Sequence, residues 1–239
     1  PFAMSEPYAL YYWPVLPGRG ELIRLILEDA QVPYRDVGRE EGMDTIFGVR
    51  HGSVEDHPTF APPVLRHGDL VLSQTAVIAR YLAARHGLAP QTEHGRLLAD
   101  QHFLGWSDLM HEVHDTHHPI ASSLRYEDQR EAAKLRAHHF REDRLGPWLR
   151  HFDRVVQRGS GVHVPAEISY VDLAARFVLR GIEHAFPRAF ECLKPELPGL
   201  LALVDRVERR PALHSYLNSD RAMRFNHDGI FRHYPELDG

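Results

Sequence analysis

A single cysteine, Cys192, occurs in 239 residues, which excludes an internal disulfide framework and any Cys-x-x-Cys redox or zinc site. No uninterrupted apolar run approaches the ~18 residues that a membrane span needs. The opening segment Pro1–Tyr8 lacks a basic stretch followed by an apolar one, so no secretory signal is expected. Pro1–Ala3 reads as a remnant ahead of a start at Met4-Ser5-Glu6. Positive charge is not in excess either. The 28 Lys+Arg against 33 Asp+Glu leave a formal charge of −5, and such a chain has no general electrostatic reason to seek DNA, RNA or an anionic membrane. Repeats and low-complexity tracts are missing. With 43% hydrophobic and 26% charged residues, the expected class is a soluble cytoplasmic protein with a substantial core.

Strand and helix signals alternate in the first third. Tyr8–Val15 (YALYYWPV) is rich in β-formers and stops at Pro17-Gly18, which predicts a strand and a turn. Glu21–Ala30 has apolar residues at 22, 23, 25, 26 and 27, the crowded stripe of a buried helix. Pro33–Val37 fits a second strand, and residues 38–58 lose all periodicity. Thr59–Leu65, His67-Gly68-Asp69 and Leu70-Val71-Leu72 read as strand, tight turn and strand. Thr75–His86 is an amphipathic helix closed by Gly87. Beyond it strand signals nearly vanish, and helical patterns cover 93–123, 128–157, 171–185 and 198–217. This change of class divides the chain into two expected domains, 1–87 and 88–239. Ser169-Tyr170-Val171-Asp172 carries a capping-box pattern, in which Ser169 accepts from an early helix amide and Asp172 reaches back to the amide of Ser169.

The strand YALYYWP, the turn Gly18-Arg19-Gly20-Glu21, the segment Pro62-Pro63-Val64-Leu65 and Ser73-Gln74-Thr75 opening a helix resemble the thioredoxin-like domain of cytosolic glutathione transferases. The run ISYVD at 168–172 and Arg210-Pro211-Ala212-Leu213 resemble the matching helical domain. The likeness runs from about Pro7 to Asn218 and is closest to the tyrosine-type classes, alpha, mu, pi and sigma. It implies an α/β thioredoxin-like domain that binds glutathione, followed by an all-α domain with the electrophile pocket. It also implies a homodimeric, metal-free detoxifying enzyme. The chemistry would be thiol activation. A free cysteine thiol of pKa ≈ 8.5 is only about 3% thiolate at pH 7. Lowering that pKa by about two units needs ~2.7 kcal/mol and raises the thiolate about 25-fold, while the lower basicity costs roughly 8-fold in nucleophilicity. The net gain is about threefold, so holding the electrophile beside the sulfur must supply most of the acceleration.

By this resemblance Tyr12, ahead of Trp13-Pro14, is the hydroxyl donor to sulfur, with Tyr11 as the rival if the strand register slips by one. Arg19 matches an arginine near the tyrosine that orders water and the γ-glutamyl end. Pro63 matches a cis proline, and the preceding residue would pair its N–H and C=O with the cysteinyl backbone. That residue is Pro62, which has no N–H, so one of the two bonds is expected to be missing. Thr75 is expected to cap the helix whose amides receive the γ-glutamyl carboxylate, with Gln74 on its amino group. Asp108 falls on an aspartate that reaches glutathione across a dimer. Helical spacing puts Asp108, His111, Asp115 and His118 on one face with His114 adjacent, and His114 and His118 are expected to line the electrophile pocket. His111-Glu112-Val113-His114 is not a His-Glu-x-x-His zinc motif. Arg50 and His51 stand in for lysine and tryptophan contacts that have no clear match. Cys192 is expected to be an inert, partly buried thiol, and the aromatic tail Ala222–Tyr234 either folds over the cleft or packs on the surface. Two other readings remain open: a glutathione peroxidase or isomerase on the same fold, and a non-catalytic binding protein.

Overall fold

A computed structural model describes residues 7–54, 56–159 and 168–239; Met4 and the residues before it lie outside them. The first strand, β1 (Tyr8–Tyr11), ends sooner than its composition suggests, because Pro14 and Pro17 follow closely and remove two ladder donors. Then come α1 (Arg19–Asp29), β2 (Tyr34–Asp36), α2 (Val37–Glu41), α3 (Met43–His51), and a small hairpin of β3 (Ser53–Val54) and β4 (His57–Pro58). The aperiodic stretch 38–58 thus holds short elements, too brief to show a period. The second half has β5 (Val64–His67), β6 (Leu70–Ser73) and α4 (Thr75–Arg85). The expected strand 59–65 begins only at Val64, since Pro62 and Pro63 cannot donate to a ladder.

The main sheet has the order β2-β1-β5-β6, with β1 parallel to β2 and antiparallel to β5. Leu10, Ile23, Leu27, Val64, Ile78 and Leu82 are buried from solvent, so the crowded stripe of α1 and one face of α4 form this core with the sheet. The sheet unit is α/β and thioredoxin-like.

The other elements are helical: α5 (Glu93–His117), α6 (Arg130–His139), α7 (Gly146–Gln157), α8 (Tyr170–Ala185), α9 (Pro187–Leu193), α10 (Pro198–Glu208), α11 (Pro211–Leu217) and α12 (Pro235–Asp238). A π-helical turn, Phe140–Leu145, joins α6 to α7. The pattern at 198–217 is split by Pro211, and α5 stops at His117 instead of continuing to 123. Of the capping box ahead of α8, the reach-back is formed: Asp172 accepts from the amide of Ser169 at 2.7 Å and from its hydroxyl at 2.9 Å. Trp106 stacks on Phe152 with centroids 3.7 Å apart. Cys192 lies inside α9 and is exposed, contrary to the partly buried thiol expected, because α9 has only a narrow buried side that Phe190 occupies.

The chain forms two compact units. One comprises Pro1–Ala89 and Arg210–Met223, the other Pro90–Arg209 and Arg224–Gly239. The change of class near residue 88 therefore does not mark a single boundary. A later segment containing α11 returns to the first unit, where Tyr216 donates to Glu21 of α1 at 2.7 Å and Arg210 to Asp29 at 2.5 and 2.7 Å.

Candidate active site

Two antiparallel pairings place one rung at the end of the main sheet: Tyr11 faces Val64, and Val64 faces Ser73. One residue beyond that rung on each strand stand Tyr12, Pro63 and Gln74. Neighbouring strands lie about 4.8 Å apart, so three distant stretches of sequence meet along an edge of roughly 10 Å. Both β1 and β6 run toward this edge, and the chain turns from them into α1 and α4. Two helix N-termini, each with a partial positive charge, therefore open on the same side as Tyr12.

Tyr12 is only 5% exposed. Burial raises its phenol above the ordinary value, while the Arg19 charge, the amide of Gly20, the Arg24 charge and the amide of Arg19 oppose that rise. The group is a protonated phenol at neutral pH and a hydrogen-bond donor. Arg19, half-buried, is the first residue of α1. Arg24 is fully buried, with Nε 2.7 Å from Asp36 and Nη1 3.2 Å from Glu21, and burial disfavours its charge less than these carboxylates favour it. Its guanidinium carbon lies 5.7 Å from the centroid of the Tyr12 ring. Tyr11 faces elsewhere, packed against the buried cluster of Val49, Val54 and Val64.

The Pro62–Pro63 peptide is cis. Pro63 is buried and Pro62 half-buried, so the segment offers carbonyls and no amide at either position. Gln74 is exposed and has φ +72°, a left-handed value that sharply turns the chain from β6 into α4. Its carbonyl accepts from the amide of Ile78 at 3.0 Å, which makes Gln74 the cap position and Thr75 the first helical residue. Thr75 is therefore not the capping side chain expected from the sequence, and no side chain caps α4. The first-turn amides of α4 stay available to an anion.

In the helical unit, Asp108 is exposed on α5. Because α5 ends at His117, His118 falls past the last turn and leaves the face that carries Asp108, His111 and Asp115. It is buried, with Nδ1 2.5 Å from Nδ1 of His117 and its ring stacked 5.3 Å from that of His114. His114 is half-buried, with Nδ1 3.8 Å from Asp115. Glu112 is engaged by Arg144, Arg136 and Trp148. Among the described residues no group of three or more His, Cys, Asp or Glu side chains is arranged to hold a metal ion. None of the described helices is long and apolar enough to cross a membrane. The side chains of Arg50 and His51 lie outside the described residues.

Sequence reasoning passed over three residues, Gly20, Arg24 and His117. Glu21, Arg24 and Glu28 recur on one side of the apolar run of α1, a pattern that signals a charged group in a buried stripe. His117 continues the buried series Phe103, Trp106, Met110 and Val113 at helical spacing.

Residues 114–220 match the family profile described as glutathione S-transferase, C-terminal domain. A glutathione S-transferase of Plasmodium yoelii yoelii is 27% identical over 202 residues, 84% of this chain and 88% of the relative. Glutathione S-transferase P 1 of Xenopus laevis is 27% identical over 217 residues, 89% of this chain and 92% of the relative. Among solved structures, the pi-class glutathione S-transferase of Onchocerca volvulus superposes with a TM-score of 0.68 at 23% identity, covering 87% of this chain and 91% of that one. Prostaglandin synthase D of Nilaparvata lugens gives a TM-score of 0.70 at 18% identity, covering 90% and 99%. These last two likenesses concern the fold. With the profile match over residues 114–220 and the relatives aligned along most of its length, the chain is similar in sequence and in fold to glutathione S-transferases.

Proposed function

We propose that this chain is a glutathione transferase of the tyrosine type. The Tyr12 hydroxyl donates to the sulfur of bound glutathione and holds it as a thiolate, which attacks a small hydrophobic electrophile. A new carbon–sulfur bond forms as the leaving group departs with its electron pair. The observation that carries this reading is the common rung: Tyr12, Pro63 and Gln74 stand one residue beyond Tyr11, Val64 and Ser73. A tripeptide along that edge finds the carbonyl of Pro62 for its cysteinyl amide. The first turn of α4 at Thr75 receives its γ-glutamyl carboxylate and Gln74 its amino group. A protonated, buried phenol is suited to this task, since it lowers the energy of an anion beside it without carrying a charge of its own. Arg19 adds a positive charge at the same end of the site.

The electrophile belongs to residues of α5 in this reading. His114 offers its exposed edge and His118 backs it. Asp108 serves glutathione across a homodimer, in which a subunit contact would cover the ring of Phe60, 92% exposed in the single chain. The setting is cytoplasmic.

Thermal shift with millimolar glutathione, conjugation of a generic aryl halide, and light scattering test the proposal. Expected are a positive shift, measurable conjugation and a dimer. Tyr12→Phe should raise the pKa of the bound thiol by about two units and lower kcat/KM at neutral pH about threefold. If glutathione neither binds nor is conjugated, a non-catalytic role takes its place, and if Tyr11→Phe alone abolishes turnover, the strand register is wrong. A monomer removes the role of Asp108.

A further inference from the structure

Tyr12 is enclosed by glycine on two sides. A methyl group at Gly20 would overlap the Cβ, Cγ and Cδ1 atoms of Tyr12, and one at Gly38 would overlap its carbonyl oxygen. The ring therefore lies flush on the first turn of α1, where only a residue without a side chain leaves room. The first-turn amides of α1, which the helix itself cannot satisfy, start at Arg19 and Gly20, beside that ring. Arg24 lies 5.7 Å from the centroid of the same ring. It cannot swing away, because it is clamped by Asp36 and Glu21, and Glu21 in turn accepts from Tyr216 at 2.7 Å.

A phenol beside the positive end of a helix becomes a stronger donor through its own hydrogen, since the field of the first-turn amides favours negative charge on its oxygen. A cation near the π-face draws electron density the same way. We propose that Gly20 and Arg24 are positioning residues for the reaction: Gly20 lets the Tyr12 ring rest on the first turn of α1, and Arg24 fixes the ring so that its O–H points at the substrate sulfur as a strengthened donor. Neither touches the substrate. This inference rests on the reading of Tyr12 as the donor to the thiolate.

Three variants test it, Gly20→Ala, Arg24→Lys and Tyr12→Phe, with glutathione affinity measured by calorimetry and the bound thiolate followed by its ultraviolet absorbance against pH. Gly20→Ala is expected to bind glutathione within about twofold of the wild type and to raise the thiol pKa by about one unit. Its kcat/KM should fall about threefold near pH 6 and recover near pH 9. Arg24→Lys keeps the charge without the planar fork and should shift the profile less, in the same direction. A thiol titration that superimposes on the wild type in both variants overturns the proposal, even if their stability has fallen. If Gly20→Ala does not fold, Arg24→Lys decides by the same readout. Tyr12→Phe separates the two claims. If it leaves the thiol pKa unchanged, Tyr12 is not the donor and both fall; if it alone raises that pKa, only the positioning role falls.

Discussion

Pro62 is the residue whose chemistry departs most from its surroundings. An extended segment beside a bound peptide ordinarily offers one N–H and one C=O per residue, and here the donor is missing at two successive positions. Pro62→Val restores one amide. It should tighten glutathione binding roughly 2- to 12-fold, the worth of one hydrogen bond of about 0.5–1.5 kcal/mol. Calorimetry with glutathione checks this, and an unchanged affinity means that no ligand group is waiting for that N–H. Much at this scale was legible in the sequence. Tyr12, Pro62, Pro63 and Gln74 were singled out by the resemblance of their motifs to glutathione transferases, and each is a residue type with a distinct donor, acceptor or backbone property. Gly20 was not legible, since a glycine at a helix start is unremarkable until a ring is found against it.

Among the elements, the segment Arg210–Met223 is held by the acidic side of α1. Arg210 grips Asp29, Tyr216 donates to Glu21, and Arg221 pairs with Glu28, which also accepts from Tyr34 at 3.0 Å. The Asp29 side chain is 1% exposed, and that of Arg210 is 36% exposed. Arg210→Ala leaves a buried carboxylate without its fork, and a loss of about 2 kcal/mol is expected in denaturant unfolding. Arg209→Ala removes only the solvent-exposed pair with Asp205 and should cost less than about 0.5 kcal/mol. Equal losses would show that the fork is not what anchors the segment. The helix-forming pattern of this stretch was visible in its sequence. Its membership of the first unit was not, because periodicity reports which face is buried and says nothing of what buries it.

For the whole molecule, four histidines with depressed imidazoles set the response to pH. Burial pulls His86, His117, His118 and His184 below the ordinary imidazole value, His117 to about 3. His117 is neutral, with Nε2–H donating to the carbonyl of Ile230 at 2.8 Å, so its Nδ1 accepts from His118. A depressed imidazole means that the unfolded chain binds more protons, so the stability these groups contribute is complete above the unfolded pKa near 6.5 and falls as the pH drops toward the folded values. Carboxylates act in a lower window. Glu112 and Glu208, held below the usual range by Arg144 and by Arg180 and Arg176 against the cost of burial, lose their contribution only as the pH falls through that range. The melting temperature is therefore expected to fall from pH 7 to pH 5, before acid unfolding proper. His117→Gln should lower it at pH 7 and flatten that slope, and a melting temperature independent of pH over this interval would contradict the assignment.

What the linear order determined by itself was the type of each long element and the succession of an α/β unit by helices, since apolar spacing and turn residues are local properties that hold wherever the element packs. The candidate donor and acceptor side chains came from the resemblance of its short motifs to glutathione transferases. Only the tertiary structure decided that Tyr12, Pro63 and Gln74 share one edge, that Tyr12 rests on Gly20 beneath Arg24, and that α11 closes on α1. Those facts depend on strand register and on close approach between distant segments, and both are settled by packing, which no run of neighbouring residues encodes.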